Sequence, residues 1–178
     1  MRLSKAGYYA DYVVYPVLLL PLAAVAVVDR TLEERAAWCI ALCGGVIAFT
    51  LLEYLTHRVL LHGVPPFSGL HDVHHRSPTA DIGIPTWLSA AFGGAVFASL
   101  YLGAGLNLAS GLTAGLILGY LWFGLLHHAV HRWRARDGSY LHRAKRRHSR
   151  HHHERQPGNF GVTTAYWDRL FGTTVLDR

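Results

Sequence analysis

Residues 36–62 read AAWCIALCGGVIAFTLLEYLTHRVLLH, an apolar run that ends in two histidines. At 1.5 Å per residue, about 26 helical residues reach ~39 Å, more than the ~30 Å of hydrocarbon in a bilayer. The end that carries His57 and His62 is therefore expected to project past the hydrocarbon toward water. Working outward, three further apolar stretches lie at 12–28, 85–102 and 108–130, each close to the ~20 residues a spanning helix needs. They predict an all-α integral membrane protein of about four transmembrane helices, in one membrane-embedded domain over residues 1–178. Pro16 and Pro21 interrupt the first stretch, which reads as a span supported by its neighbours or as a kinked or shallow helix. The chain is 51% hydrophobic and 16% charged, a composition that excludes an ordinary soluble domain. Cys39 and Cys43 sit inside the apolar run and read as small buried hydrophobes. The weakly basic start, Met1 to Lys5, lacks a small-residue cleavage site and reads as the lead-in to a retained first span.

Charge placement gives an orientation. The connection at 29–35 is mixed and that at 103–107 carries no Lys or Arg, whereas Arg2, Lys5, Arg58, Arg76 and a strongly basic tail flank the other ends of the spans. The positive-inside rule then puts both termini and all thirteen histidines on the cytoplasmic side. The formal charge of +6 is concentrated from Arg132 onward, directly after an apolar stretch. This favours anionic lipid headgroups over nucleic acid. Residues 143–155 resemble an arginine-rich binding segment in composition, but their histidine spacing argues for a different use.

The histidines form four groups: His57 and His62 in HRVLLH; His71, His74 and His75 in HDVHH; His127, His128 and His131 in HHAVH; and His148, His151, His152 and His153 in HSRHHH. On a helix, positions i, i+3 and i+4 share a face. His71/His74/His75 and His148/His151/His152 are each expected to converge on one point, and His127/His131 likewise. His57 and His62, five apart, need a local distortion, a helix end or two different metals to act together. Ionisable groups beside membrane spans are costly and mark function. Ten well-placed imidazoles exceed the capacity of one ion, which implies two metals. Imidazole suits iron, zinc, copper and nickel alike.

The pattern H-x4-H, H-x2-HH, H-x3-H, H-x2-HH over roughly residues 52–173 resembles the fatty acid hydroxylase superfamily, which includes sterol desaturases, carotenoid hydroxylases and sphingolipid fatty acid 2-hydroxylases. The segment YLHRAKRRHSRHHH and the following NFGVTTAYWDRLFGT are most similar to its sphingolipid hydroxylase and sterol desaturase side. The resemblance implies a cytoplasmic histidine-rich cap holding two iron ions, with zinc possible in a purified preparation. It implies His57, His62, His71, His74, His75, His127, His131, His148, His151 and His152 as ligands, with His128 competing with His127. It further implies O2 as cosubstrate, a lipid substrate entering from the membrane, and electrons from a separate reductase, ferredoxin or cytochrome, since 178 residues leave no room for a fused cytochrome domain. Glu53, one turn before His57, is a candidate acceptor for that ring's other N–H, with pairing to Arg58 or solvation as alternatives; Asp72 and Asp168 are similar candidates. Trp167 and Phe171 read as interfacial anchors or walls of a substrate entrance, and Asn159 and Gly161 as a turn. Arg143, Arg146, Arg147 and Arg150 read as a solvated basic face. Desaturation, or carotenoid or sterol hydroxylation, is the rival chemistry within the family. A histidine-rich metal transporter or sensor is the rival from another class, against which stands the gathering of histidines at one face.

Overall fold

The computed structural model describes residues 2–154 and 157–175; Met1, Arg155 and Arg178, which bounded sequence segments above, lie outside them. Helices dominate: α1 (Lys5–Tyr9), α2 (Asp11–Val27), α3 (Leu32–Leu55) running into a π-helical turn (Thr56–Leu61), α4 (Phe67–Arg76), α5 (Thr86–Arg132), α6 (Tyr140–His153) and α7 (Tyr166–Leu170). Among the described residues the sole β feature is an isolated bridge between Arg2 and Ile82. Among the described residues three helical runs are long and apolar enough to cross a membrane, at Lys5–Val27, Leu32–Leu61 and Thr86–Arg132. The two apolar stretches expected at 85–102 and 108–130 lie in the one 47-residue run of α5, which leaves helical geometry at Gly105 (φ 76°, ψ 171°). The expected loop at 103–107 is thus a break of one residue. GAGLN has no proline, and helical geometry is left only at Gly105, so the helix resumes at once on its far side.

The chain divides into two compact units, one of residues 1–49 and 81–121, the other of residues 50–80 and 122–178. In the first, the helix pairing rests on glycines. A Cβ at Gly111 would strike the Trp38 carbonyl and Ala41, one at Gly115 would overlap the Leu42 carbonyl, and one at Gly119 would enter the Phe49 ring. These three positions, four apart, form a small-residue face that lets two backbones approach, which is how helices associate where lipid removes the hydrophobic drive. Polar side chains add specific contacts: Trp38 Nε1 donates to Ser110 Oγ at 3.1 Å and Tyr120 donates its hydroxyl proton to Asp11 at 2.5 Å. Large apolar side chains such as Leu102 and Ile40 stand outward, 85% and 73% exposed. Such a surface suits lipid rather than water.

The second unit holds every histidine of the chain. Its apolar centre is Leu126, Val130, Ala144 and Val162, with Phe123 and Leu141 packed against it. These side chains bring the end of α5, helix α6 and the segment after α6 together. Ser139 caps α6 by accepting the His142 N–H at 3.1 Å, satisfying one of the four open donors at its start.

Candidate metal centre

The ring nitrogens converge in two groups, within each of which the donor atoms lie within 4.8 Å of one another: His57, His62, His71, His75 and His151 in one, His74, His131, His148 and His152 in the other. His57 and His62 share a group because the helix is π-wound from Thr56 to Leu61. Closing hydrogen bonds from i to i+5 brings residues five apart onto one face. This is the local distortion that the spacing called for.

The triads depart from expectation. His71, His74 and His75 do not converge on one point, nor do His148, His151 and His152. In each helix the i, i+4 pair enters one group and the i+3 residue enters the other. Relative to i, residue i+4 is rotated by about 40° one way and i+3 by about 60° the other, so with ligands on both sides of the helix the two diverge.

Within the five-histidine group, Nε2 to Nε2 distances are 2.9 Å for His57–His71, 3.0 Å for His71–His75, 3.1 Å for His62–His151 and 3.2 Å for His75–His151. In the other group they are 2.8 Å for His131–His148 and 3.1 Å for His148–His152. Two nitrogens bound to one ion through bonds of about 2.1 Å fall about 3.0 to 3.4 Å apart, so the donor set fits one metal per group. His74 Nε2 is buried and lacks a hydrogen-bond partner among the described residues, a costly state for a polar atom that a metal relieves. His127 stands beside the four-histidine group, its Nε2 3.3 Å from that of His131 and its ring 4.7 Å from His74. His128 instead turns to Trp133, at 6.1 Å between rings.

Metal ligation needs neutral imidazoles, and the surroundings keep them so. Burial first, and neighbouring imidazoles after it, push His71 and His152 down to about 2, His74 to about 3 and His75 to about 4. Burial also pushes His151 down to about 3, against the opposing pull of its bond to a backbone carbonyl. That carbonyl belongs to Gly158, 2.9 Å from His151 Nδ1; the Phe160 carbonyl lies 2.5 Å from His57 Nδ1. A carbonyl can only accept, so both rings donate through Nδ1–H and, when neutral, present a bare Nε2 to the group.

The three carboxylates differ from their expected roles. Glu53 does not accept from His57, nor does it pair with Arg58, which donates to the Tyr54 hydroxyl at 2.9 Å. It accepts from the Val162 N–H at 2.6 Å, the Thr163 N–H at 3.2 Å and the Thr163 hydroxyl. Asp168 accepts from the Phe160 and Gly161 N–H groups, both at 2.9 Å, and from the Thr173 hydroxyl at 2.7 Å. Asp72 is exposed on α4. Asn159 is the turn residue, at φ 53°, with its side chain clasping the Val175 backbone through bonds of 3.1 and 3.0 Å.

Trp167 donates to Thr50 at 3.0 Å and Phe171 stacks on Tyr54 at 5.4 Å. Arg147 and Arg150 are not simply solvated: they donate to the Val162 and Val175 carbonyls at 3.3 and 3.2 Å. Sequence reasoning missed the Gly158 and Phe160 carbonyls altogether. The turn signal in PGNFG was the one available pointer. A cavity of about 170 Å³ borders the four-histidine group, lined in part by His131, His148, His152, Lys145 and His153.

The chain is 34% identical to the fatty acid 2-hydroxylase of Rattus norvegicus over 145 residues, 74% of this chain and 38% of that protein. It is 32% identical to the ceramide very long chain fatty acid hydroxylase of Saccharomyces cerevisiae, with 96% of this chain and 46% of that one covered. The chain thus spans less than half the length of these curated relatives. A solved structure of full-length scs7p, in which only the hydroxylase domain is visible, superposes with a TM-score of 0.82 at 24% identity, covering 96% of this chain and 67% of that one; it shares the fold. The profile of the fatty acid hydroxylase family matches residues 42–173, a stretch that contains all ten expected ligand histidines, and the chain belongs to that family.

Proposed function

We propose that this chain is a membrane-bound, O2-dependent di-iron lipid hydroxylase acting on a fatty acyl or sphingolipid-like substrate. The carrying observation is the convergence of nine imidazole nitrogens, with His127 beside them, into two separate groups of metal-ligand spacing. The relatives named for 2-hydroxylation of fatty acids and for hydroxylation of ceramide fatty acids support the substrate class. His57, His62, His71, His75 and His151 would hold one ion; His74, His131, His148 and His152, with His127, the other. Bound iron supplies activation of O2 toward an unactivated C–H bond.

The chain's own residues bind, orient and exclude water. Burial keeps the imidazoles neutral, the Gly158 and Phe160 carbonyls fix two tautomers, and three apolar helices place the protein in the membrane where its substrate resides. Both termini and the centre face the cytoplasm in this reading, in which the two halves of α5, broken at Gly105, each cross the membrane and bring the crossings to four; a separate reductase, ferredoxin or cytochrome delivers electrons there. With reduced donor and 18O2, the expected product is a lipid carrying one labelled oxygen atom, formed only by metal-loaded protein. A product lighter by two hydrogens and without label moves the assignment to a desaturase; metal movement across vesicles without any lipid product moves it to a transporter.

A further inference from the structure

We propose that Glu53 and Asp168 are positioning residues for the five-histidine group, acting through the backbone of residues 158–163 and touching no ligand themselves. The proposal rests on the metal-binding reading above. Four consecutive backbone N–H groups, those of Phe160, Gly161, Val162 and Thr163, all donate to these two carboxylates. Both are buried, Glu53 at 7% and Asp168 at 1% exposure. Two buried carboxylates are a costly way to hold a loop unless hydrogen bonds compensate them. Here each carboxylate takes two N–H groups and a threonine hydroxyl. Gly161 is required for the approach, since a Cβ there would overlap the Thr164 carbonyl and press on Asp168.

The held segment delivers two carbonyls to ligand rings: Phe160 to His57 and Gly158 to His151. An acceptor behind a ligating imidazole fixes the ring's tautomer and orientation. The carboxylates therefore do at one remove what a carboxylate usually does by direct contact with the ring. Among the described residues, no such acceptor stands behind two of the rings of the four-histidine group. Nδ1 of His148 and of His152 is buried without a hydrogen-bond partner among the described residues. Loss of the clasp should accordingly cost one metal and spare the other.

The test is metal content of the purified full chain in detergent, loaded with iron or zinc and then challenged with a chelator under conditions in which the unsubstituted chain keeps two ions. Asp168→Asn sets an amide NH2 against a backbone N–H, and Glu53→Leu removes both acceptor oxygens. Each is expected to leave one ion per chain, through the 10- to 100-fold loss of affinity typical of such outer partners. Glu53→Gln keeps an amide oxygen for the two N–H groups and is expected to retain both ions, an outcome a general demand for charge would not give. Adding His62→Ala to Asp168→Asn should release nothing more, whereas adding His152→Ala should release the remaining ion. Folded Asp168→Asn protein that keeps both ions as tightly as the unsubstituted chain overturns the inference and leaves the metal-binding reading intact. An unsubstituted chain that takes up no metal overturns both. Should the substituted chains fail to fold, Thr163→Val, which removes a single hydroxyl donor, is expected to speed release of one ion about 10-fold; unchanged release overturns the inference.

Discussion

Helices α4 and α6 carry the same H-x2-HH spelling and use it in opposite senses. In α4 the pair His71 and His75 goes to the five-histidine group and His74 to the other; in α6 the pair His148 and His152 goes to the four-histidine group and His151 to the first. Each helix thus ties both groups together, and the middle histidine of each triad is the crossing ligand. The difference teaches that spacing identifies candidate ligands but not which of the two groups they join. That depends on what stands opposite: the π-helical turn faces one pair and the end of α5 the other.

The largest effect should come from removing the crossing ligands. His74→Ala and His151→Ala are each expected to abolish the proposed hydroxylation, by at least about 100-fold given that neighbouring outer partners alone are worth 10- to 100-fold, and each to leave a different ion in place. Metal analysis combined with turnover checks it; loss of both ions from either variant would erase the mirrored assignment. Next in size is the contribution of α5. His127→Ala should lower metal retention in the four-histidine group, whereas His128→Ala should not, because His128 lies against Trp133. Equal retention in the two would return the choice between them to where the spacing left it.

A third outcome concerns acid. The folded chain holds His74, His75 and His151 at about 3, 4 and 3, below the ordinary value of about 6.5. The unfolded chain therefore takes up protons first, so the stability these imidazoles lend the metal-free protein is fully present above about pH 6.5 and is lost as pH falls toward 3. Thermal melts of chelated protein at stepped pH values test this; a midpoint that rises on acidification contradicts it. The smallest effects are expected at His142 and His153. His142 sits 3.0 Å from Asp137 on the far end of α6 and His153 at its exposed last residue; Ala at either should keep both ions and most activity.

Much of the fold was readable. The apolar lengths gave membrane helices, and the break at Gly105 fell where a loop was expected because one glycine sufficed there. The histidines were readable as candidate ligands by residue type and spacing. Their partition was not, since helical periodicity places i+3 and i+4 almost equally near i and only the opposing elements separate them. Glu53 misled for a related reason. One turn from His57 it looked like a partner, yet its acceptors are filled from residues 162 and 163, more than a hundred positions away in the chain. The glycine face at 111, 115 and 119 had a visible four-residue period, but no feature of the sequence said which helix it would meet.

The π-helical turn bears on how such chains can be aligned and redesigned. An α-helix presents two imidazoles together at H-x3-H, as in His127 and His131; the wider turn does so at H-x4-H, as in His57 and His62. The two box lengths are then interchangeable spellings of one ligand pair, differing by an inserted residue that the wider turn absorbs. Removing Val59 while keeping both histidines should let the helix rewind to ordinary α geometry with the pair still in register. A gap of one residue in this box, seen between two relatives, need not signal a lost ligand.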